Sequence, residues 1–215
     1  MRTLIKLVLF VLAVCALFLG VCLVRAFMYT SSSAQADYVT LPDTPEISAE
    51  SAAAKLSRAI QFQTITLTKG DPRAGQDAAW SDLRAYLQSA FPDLAAQSSF
   101  ETVAGNSLII TWGGDSPAEA PVILMGHMDV VPVDFTTIND WEHPPFSGAI
   151  SDGFVYGRGT MDCKGPIVAM LEAAELLASS GWVPERSIIF QYGHDEEVGA
   201  RDGAHGFACG RQIRR

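Results

Sequence analysis

The chain opens on an unbroken apolar run. "LVLFVLAVCALFLGVCLV", residues 7–24, contains no polar position and so offers no face to water. At about 1.5 Å per helical residue it just crosses a hydrocarbon core of about 30 Å, the more so if residues 26–28 extend it. Arg2 and Lys6 precede it, which favours a cytoplasmic N-terminus and an exported body. A cleaved signal peptide is the rival reading, with "SAQA" as the cleavage pattern and the mature chain starting after Ala36. Against that, the run is long for a signal, and Arg25 with ten further residues separates it from the cleavage pattern. A single-pass anchor over residues 1–28 is therefore expected, with the body exported in either case.

Residues 29–46, "YTSSSAQADYVTLPDTPE", are small, polar and proline-rich and predict a linker. From Ile47 the pattern becomes globular. Spacing predicts a helix over 48–62 with Leu56 and Ile60 on one face, and a second over 76–91 with Trp80, Leu83, Leu87 and Phe91. Short β runs follow at 107–112 ("SLIITW") and 122–126 ("VILMG"), separated by a Gly-Gly-Asp-Ser-Pro turn region. "AISDGFVYG", 149–157, predicts a hairpin around Asp152-Gly153. A third helix is expected over 166–179 with Ile167, Met170, Leu171, Ala174 and Leu177 facing inward, then a buried strand at 187–192. Helices alternating with apolar strands predict an α/β domain with a largely parallel sheet flanked by helices.

Composition narrows the function. The 215 residues are 48% apolar and 18% charged, enough for one sizeable core. Residues 1–36 carry three basic and no acidic side chains. The rest hold 12 basic and 24 acidic, a balance of −12. Nucleic acid is not an expected partner of so acidic a body, because phosphate contacts need clustered Lys and Arg. Cys15 and Cys22 lie in the apolar run and leave only Cys163 and Cys209 in the body, neither a disulfide framework nor a C-x-x-C zinc pair.

Three polar clusters each follow an apolar segment. His127 and Asp129 close the strand at 122–126, and residues two apart in extended chain point to the same side. Asp162, in "GRGTMDCKG", opens the third helix. "HDEE", 194–197, follows the strand at 187–192. Singly, each has an ordinary explanation: a satisfied strand-end histidine, a helix N-cap, a solvated acidic pair. Together they lie beyond strand ends, where open α/β sheets gather ligands, and their N and O donors suit zinc, with manganese or cobalt also possible. No serine nucleophile elbow, phosphate loop or His-Glu-x-x-His helix competes.

The segments "LSRAIQFQTIT" (56–66), "GHMDVVPV" (126–133), "WEHPPFSG" (141–148), "DGFVYGRGTMDCKG" (152–165) and "GHDEEVGARDGA" (193–204) together resemble the co-catalytic zinc aminoacylase and carboxypeptidase family. Within it they are most similar to the membrane-anchored or secreted branch with carboxypeptidase S and the N-fatty-acyl-amino-acid synthase/hydrolase. The resemblance implies that residues 47–215 are the N-terminal portion of a zinc-exopeptidase-like catalytic domain. It implies two Zn(2+) per complete site, with His127 on one metal, Asp162 bridging and Glu197 on the other. Asp129 would orient His127, and Glu196 would be the general base in amide hydrolysis of a small peptide or N-acyl amino acid. His143 and His194 match no family ligand, and Lys164 or Arg158 would steady Asp162 or pair elsewhere. Cys163 stands where the family often has a second Asp. The family's later acidic ligand, its late His and its lid domain have no counterpart here, and Ala200 replaces a usual Gly. On that reading the chain is expected to be truncated, each metal to be one ligand short with only His205 as a substitute, and hydrolysis by these residues alone to be weak. A non-catalytic anchored fragment or a single-metal module are the alternatives.

Overall fold

The computed structural model describes residues 2–30, 46–67, 78–116 and 118–203, and falls into two compact units, 1–44 and 45–215. The expected linker and His205 lie mostly or wholly outside the described residues. The described part of the first unit is one helix, α1 (Arg2–Thr30), whose residues 2–28 are exposed on every side. Its stretch Arg2–Met28 has a mean hydropathy of 3.2 and the length and composition to cross a membrane, or to serve as a signal sequence.

In the second unit, α2 (Ala49–Ile60) starts at Ser48, whose Oγ accepts from the Ser51 amide at 3.2 Å. It buries Ala59 and Ile60. α3 (Ala78–Ala90) buries Trp80, Leu83 and Leu87, and Phe91 just beyond it is fully buried, so the predicted stripe is core. A short helix not anticipated from the sequence, α4 (Pro92–Gln97), follows at once. Its first amides are satisfied from outside: the Glu175 carboxylate accepts from Asp93 N at 3.0 Å and Leu94 N at 2.8 Å.

Four strands form the main sheet: β1 (Ser98–Val103), β2 (Ser107–Trp112), β3 (Val122–His127) and, after the small hairpin β4 (Ile150–Ser151) and β5 (Phe154–Val155) and helix α5 (Lys164–Ser179), β6 (Ile188–Gly193). Their order is β1-β2-β6-β3. The α/β class with flanking helices holds, but the sheet is not largely parallel. β1–β2 and β2–β6 are antiparallel, and only β3–β6 is parallel. The cause is connection length. Three residues, with Ala104 and Gly105 at positive φ, link β1 to β2 and permit only a hairpin, whereas the long crossover through α5 returns the chain parallel to β3.

One sheet face carries Leu108, Ile110, Trp112, Phe190 and Tyr192 into the main core with Trp80, Leu83, Leu87 and Phe91 of the α3 region and Ile167, Val168 and Leu171 of α5. Leu177, expected inward, is 39% exposed, because the buried stripe of α5 runs through Ala174 and Ala178 instead.

Candidate metal centre

β3 and β6 run side by side in parallel and end together, with His127 in register with Gly193. The loops leaving both strands therefore start from one edge of the sheet, and α5, which connects them, begins at the same end. Two close approaches fix this packing. A Cβ on Gly126 would sit 3.2 Å from Ile167 Cγ1 and 3.4 Å from Cys163 Sγ, and one on Gly165 would run into the Thr160 carbonyl.

His127 is buried and held at both nitrogens. Nδ1 lies 3.1 Å from the backbone oxygen of Asp129 and 3.3 Å from its Oδ1. On the other side Nε2 lies 2.8 Å from Asp162 Oδ1 and 3.9 Å from Glu196 Oε2. Burial works against a charged imidazole, but the bonds to Asp129 and Asp162 outweigh it and raise the pKa to about 9. With Nδ1–H committed to Asp129, Nε2 is the atom that can face a metal.

Asp129 is fully buried and does more than orient a ring. Its Oδ1 accepts from Glu196 N at 3.1 Å and its Oδ2 from Glu197 N at 3.0 Å. One carboxylate thus ties the β3 loop to the 3-10 turn Glu196–Val198 and aims the acidic pair. Asp162 is not the N-cap of α5. Cys163 holds that position, without a side-chain cap bond, after a cis Asp162–Cys163 peptide, and the Asp162 side chain is 76% exposed. Glu197 borders, with Asp162, Leu56, Val131, Phe154 and Met161, a cavity of about 630 Å³. Burial first, and the Asp162 carboxylate next, raise the Glu197 pKa.

The structure thus gathers His127, Asp129, Asp162, Glu196 and Glu197 at one strand end. Among the described residues, the tightest set of metal donors is His127, Asp162 and Cys163, whose ligand atoms lie within 4.8 Å of one another; Glu197 stands outside that set. Cys163 as a member of this set was not anticipated from the sequence, where its only signal is its place next to Asp162. Nitrogen, carboxylate and thiol donors together fit a zinc-type ion.

The neighbouring polar residues serve the scaffold. His194 is buried, with Nδ1 2.7 Å from Ser107 Oγ, its backbone oxygen accepting from Thr66 Oγ1, and its ring edge-on to Trp80. His143 packs edge-on to Tyr156. Lys164 does not reach Asp162. Its buried Nζ donates to Phe62 O at 2.6 Å and Ala59 O at 3.2 Å, closing the C-terminal end of α2, and burial lowers its pKa to about 7. Arg158 stacks over the Trp141 ring.

Residues 123–214 match peptidase family M20/M25/M40. The chain is 40% identical over 152 residues to a probable carboxypeptidase S-like 2 of Dictyostelium discoideum, covering 71% of this chain and 29% of that protein. It is 37% identical over 161 residues to the N-fatty-acyl-amino acid synthase/hydrolase PM20D1 of Bos taurus, covering 74% of this chain and 31% of the relative. The solved M20 family metallo-carboxypeptidase Sso-CP2 of Sulfolobus solfataricus shares the fold with a TM-score of 0.53 at 22% identity, over 68% of this chain and 31% of that one. The chain spans roughly 30% of the length of these curated relatives.

Proposed function

We propose that this chain supplies the N-terminal, metal-binding portion of an exported, membrane-tethered hydrolase that cleaves the amide bond of a small peptide or an N-acyl amino acid. The observation that supports this most is the meeting of His127, Asp162 and the Glu196–Glu197 turn at the shared end of the parallel β3–β6 pair. The relatives' names, carboxypeptidase and N-fatty-acyl-amino acid synthase/hydrolase, supply the substrate class. The apolar α1 and the basic residues before its core supply the tether and its orientation.

In a complete active site His127 would hold one zinc ion, Glu197 a second, and Asp162 both. Bound divalent metal supplies a water of lowered pKa and a polarised carbonyl. Glu196 accepts a proton from the attacking water and returns it to the leaving amine. Its backbone amide bond to Asp129 fixes the direction from which it does so. Asp129 holds His127 in the Nδ1–H tautomer and keeps Nε2 aimed at the site.

This set gives each ion two protein ligands, against the three of ordinary catalytic zinc, so the 215 residues alone are expected to turn over weakly. The test is zinc titration of the full chain in detergent, with hydrolysis of an N-acyl amino acid and a dipeptide followed in parallel. Glu196→Gln should keep the metal and lose turnover. Turnover that survives in Glu196→Gln removes the assigned base, and failure to bind any ion removes the metal centre.

A further inference from the structure

We infer that Cys163 is a metal ligand, and that the chain's first ion sits in a three-donor site of His127 Nε2, an Asp162 carboxylate oxygen and Cys163 Sγ. The inference rests on the metal-centre reading above and deepens it. Among the described residues, only this set brings three donor atoms within 4.8 Å of one another. Each atom has a route to the ion. Nε2 is the outward nitrogen of a ring anchored at Nδ1. Asp162 is largely exposed and free of the capping bond that its position before α5 suggested. Cys163 is half-buried, with its sulfur over Gly126 at the end of strand β3, beside the His127 backbone.

The charge and geometry also fit. A tetrahedral zinc with bonds of about 2.0–2.3 Å needs donors roughly 3.4–3.6 Å apart. The 2.8 Å His127–Asp162 pair must open slightly, and the remaining gaps, 4.8 Å at most, must close by about an ångström. Thiolate and carboxylate would neutralise a divalent ion, and a fourth position would stay open on the side of Glu196, whose Oε2 is 3.9 Å from Nε2. Binding releases the thiol proton and any second imidazole proton to solvent and changes no oxidation state. The count matters, because His127 and Asp162 alone are one ligand short of the three that hold catalytic zinc. Cys163 supplies the third without any residue from elsewhere. The remaining pair, Asp162 and Glu197, would then be the weaker second site.

Cobalt(II) reports the ligand directly, since a thiolate bound to it adds a near-ultraviolet charge-transfer band to the visible d–d bands. The full chain in detergent is titrated with cobalt, then zinc, beside Cys163→Ala, Cys163→Asp and His127→Ala. The inference expects the charge-transfer band at about one equivalent of cobalt. It expects loss of that band in both Cys163 variants and at least a tenfold weaker zinc affinity in Cys163→Ala. Visible bands without a charge-transfer band in the unaltered chain overturn the Cys163 assignment while leaving the metal centre standing. A charge-transfer band that persists in Cys163→Ala places the thiolate on another cysteine and also overturns it. No cobalt bands at all, or bands unchanged in His127→Ala, remove the metal centre itself and this inference with it.

Discussion

His127 sits between two aspartates of the same chemistry and opposite circumstance. On the Nδ1 side, Asp129 is fully buried and spends its carboxylate on the ring and on two backbone amides of the 3-10 turn. On the Nε2 side, Asp162 is 76% exposed and makes one contact to the same ring. On the proposed reading, the difference separates scaffold from ligand. A buried carboxylate held by three partners cannot move to an ion without breaking them, whereas an exposed one with a single bond can exchange that bond for a metal at little cost.

The largest expected effect breaks this contrast open. Asp129→Ala leaves two amides without their acceptor and takes the carboxylate from His127 Nδ1, which keeps only the backbone oxygen of residue 129. Charge-assisted bonds of this kind contribute about 1.5–3 kcal/mol each, so a loss of roughly 4 kcal/mol is expected. Asp162→Ala should cost under about 0.5 kcal/mol, as exposed pairs do, while abolishing metal binding. Denaturant unfolding of the metal-free proteins measures both. Equal losses would mean that the two sides are not scaffold and ligand.

The second expectation concerns pH. The His127 pKa is raised from 6.5 to about 9, so its bonds to the aspartates stabilise the metal-free fold fully below about pH 6.5. That contribution is lost as pH rises through about 9. Metal binding runs the other way, since it needs neutral imidazole. Zinc affinity should climb about tenfold per pH unit from the imidazole alone between pH 6.5 and 9, then level off. Isothermal titration at several pH values, with proton release measured in two buffers, checks it. A flat profile would mean that the ring is not the ligand.

Lys164 extends the scaffold side to α2 and gives the third effect. Lys164→Met takes one of two donors from each of the carbonyls of Ala59 and Phe62, which keep the Phe62 and Thr64 amides, for about 1.5 kcal/mol in all, partly offset by removing a buried amine. Because Lys164 follows Cys163 in the turn that opens α5, zinc affinity should fall with stability in this variant, in contrast to Asp162→Ala. A melting temperature unchanged in Lys164→Met would refute the clamp.

Much of this division was legible in the sequence, and the boundary has physical causes. Apolar periodicity disclosed α2, α3, α5, β2 and β6, each of which carries apolar residues into the core, and a plain apolar run disclosed β3, although its Val122, Ile123 and Met125 are exposed. It did not disclose α4, whose six residues bury only Leu94, or β1, an edge strand of Ser, Glu and Thr with no fully buried residue. The motifs around His127, Asp162 and Glu196 were visible as polar residues that end apolar runs. The amide bonds of Asp129 were not. They depend on the parallel β3–β6 register, and the alternating pattern predicted strands without saying which would pair. Lys164 was equally hidden: its sequence neighbours are acidic-site residues, but its partners are carbonyls about a hundred positions earlier.

His194 provides the smallest effect and the sharpest control, because it lies two residues before Glu196 and yet belongs to the scaffold. Its Nδ1 meets the buried Ser107 hydroxyl at 2.7 Å, and its ring turns toward Trp80 of α3. Removing that hydroxyl in Ser107→Ala should cost about 1 kcal/mol, the usual worth of one neutral buried hydrogen bond. It should leave zinc affinity within about twofold, since that is only ~0.4 kcal/mol and no donor atom has moved. Thermal unfolding and zinc titration of this one variant read both numbers. A zinc affinity that falls as far as in His127→Ala would put His194 on the ligand side, because a purely structural histidine can transmit no more than the stability it carries.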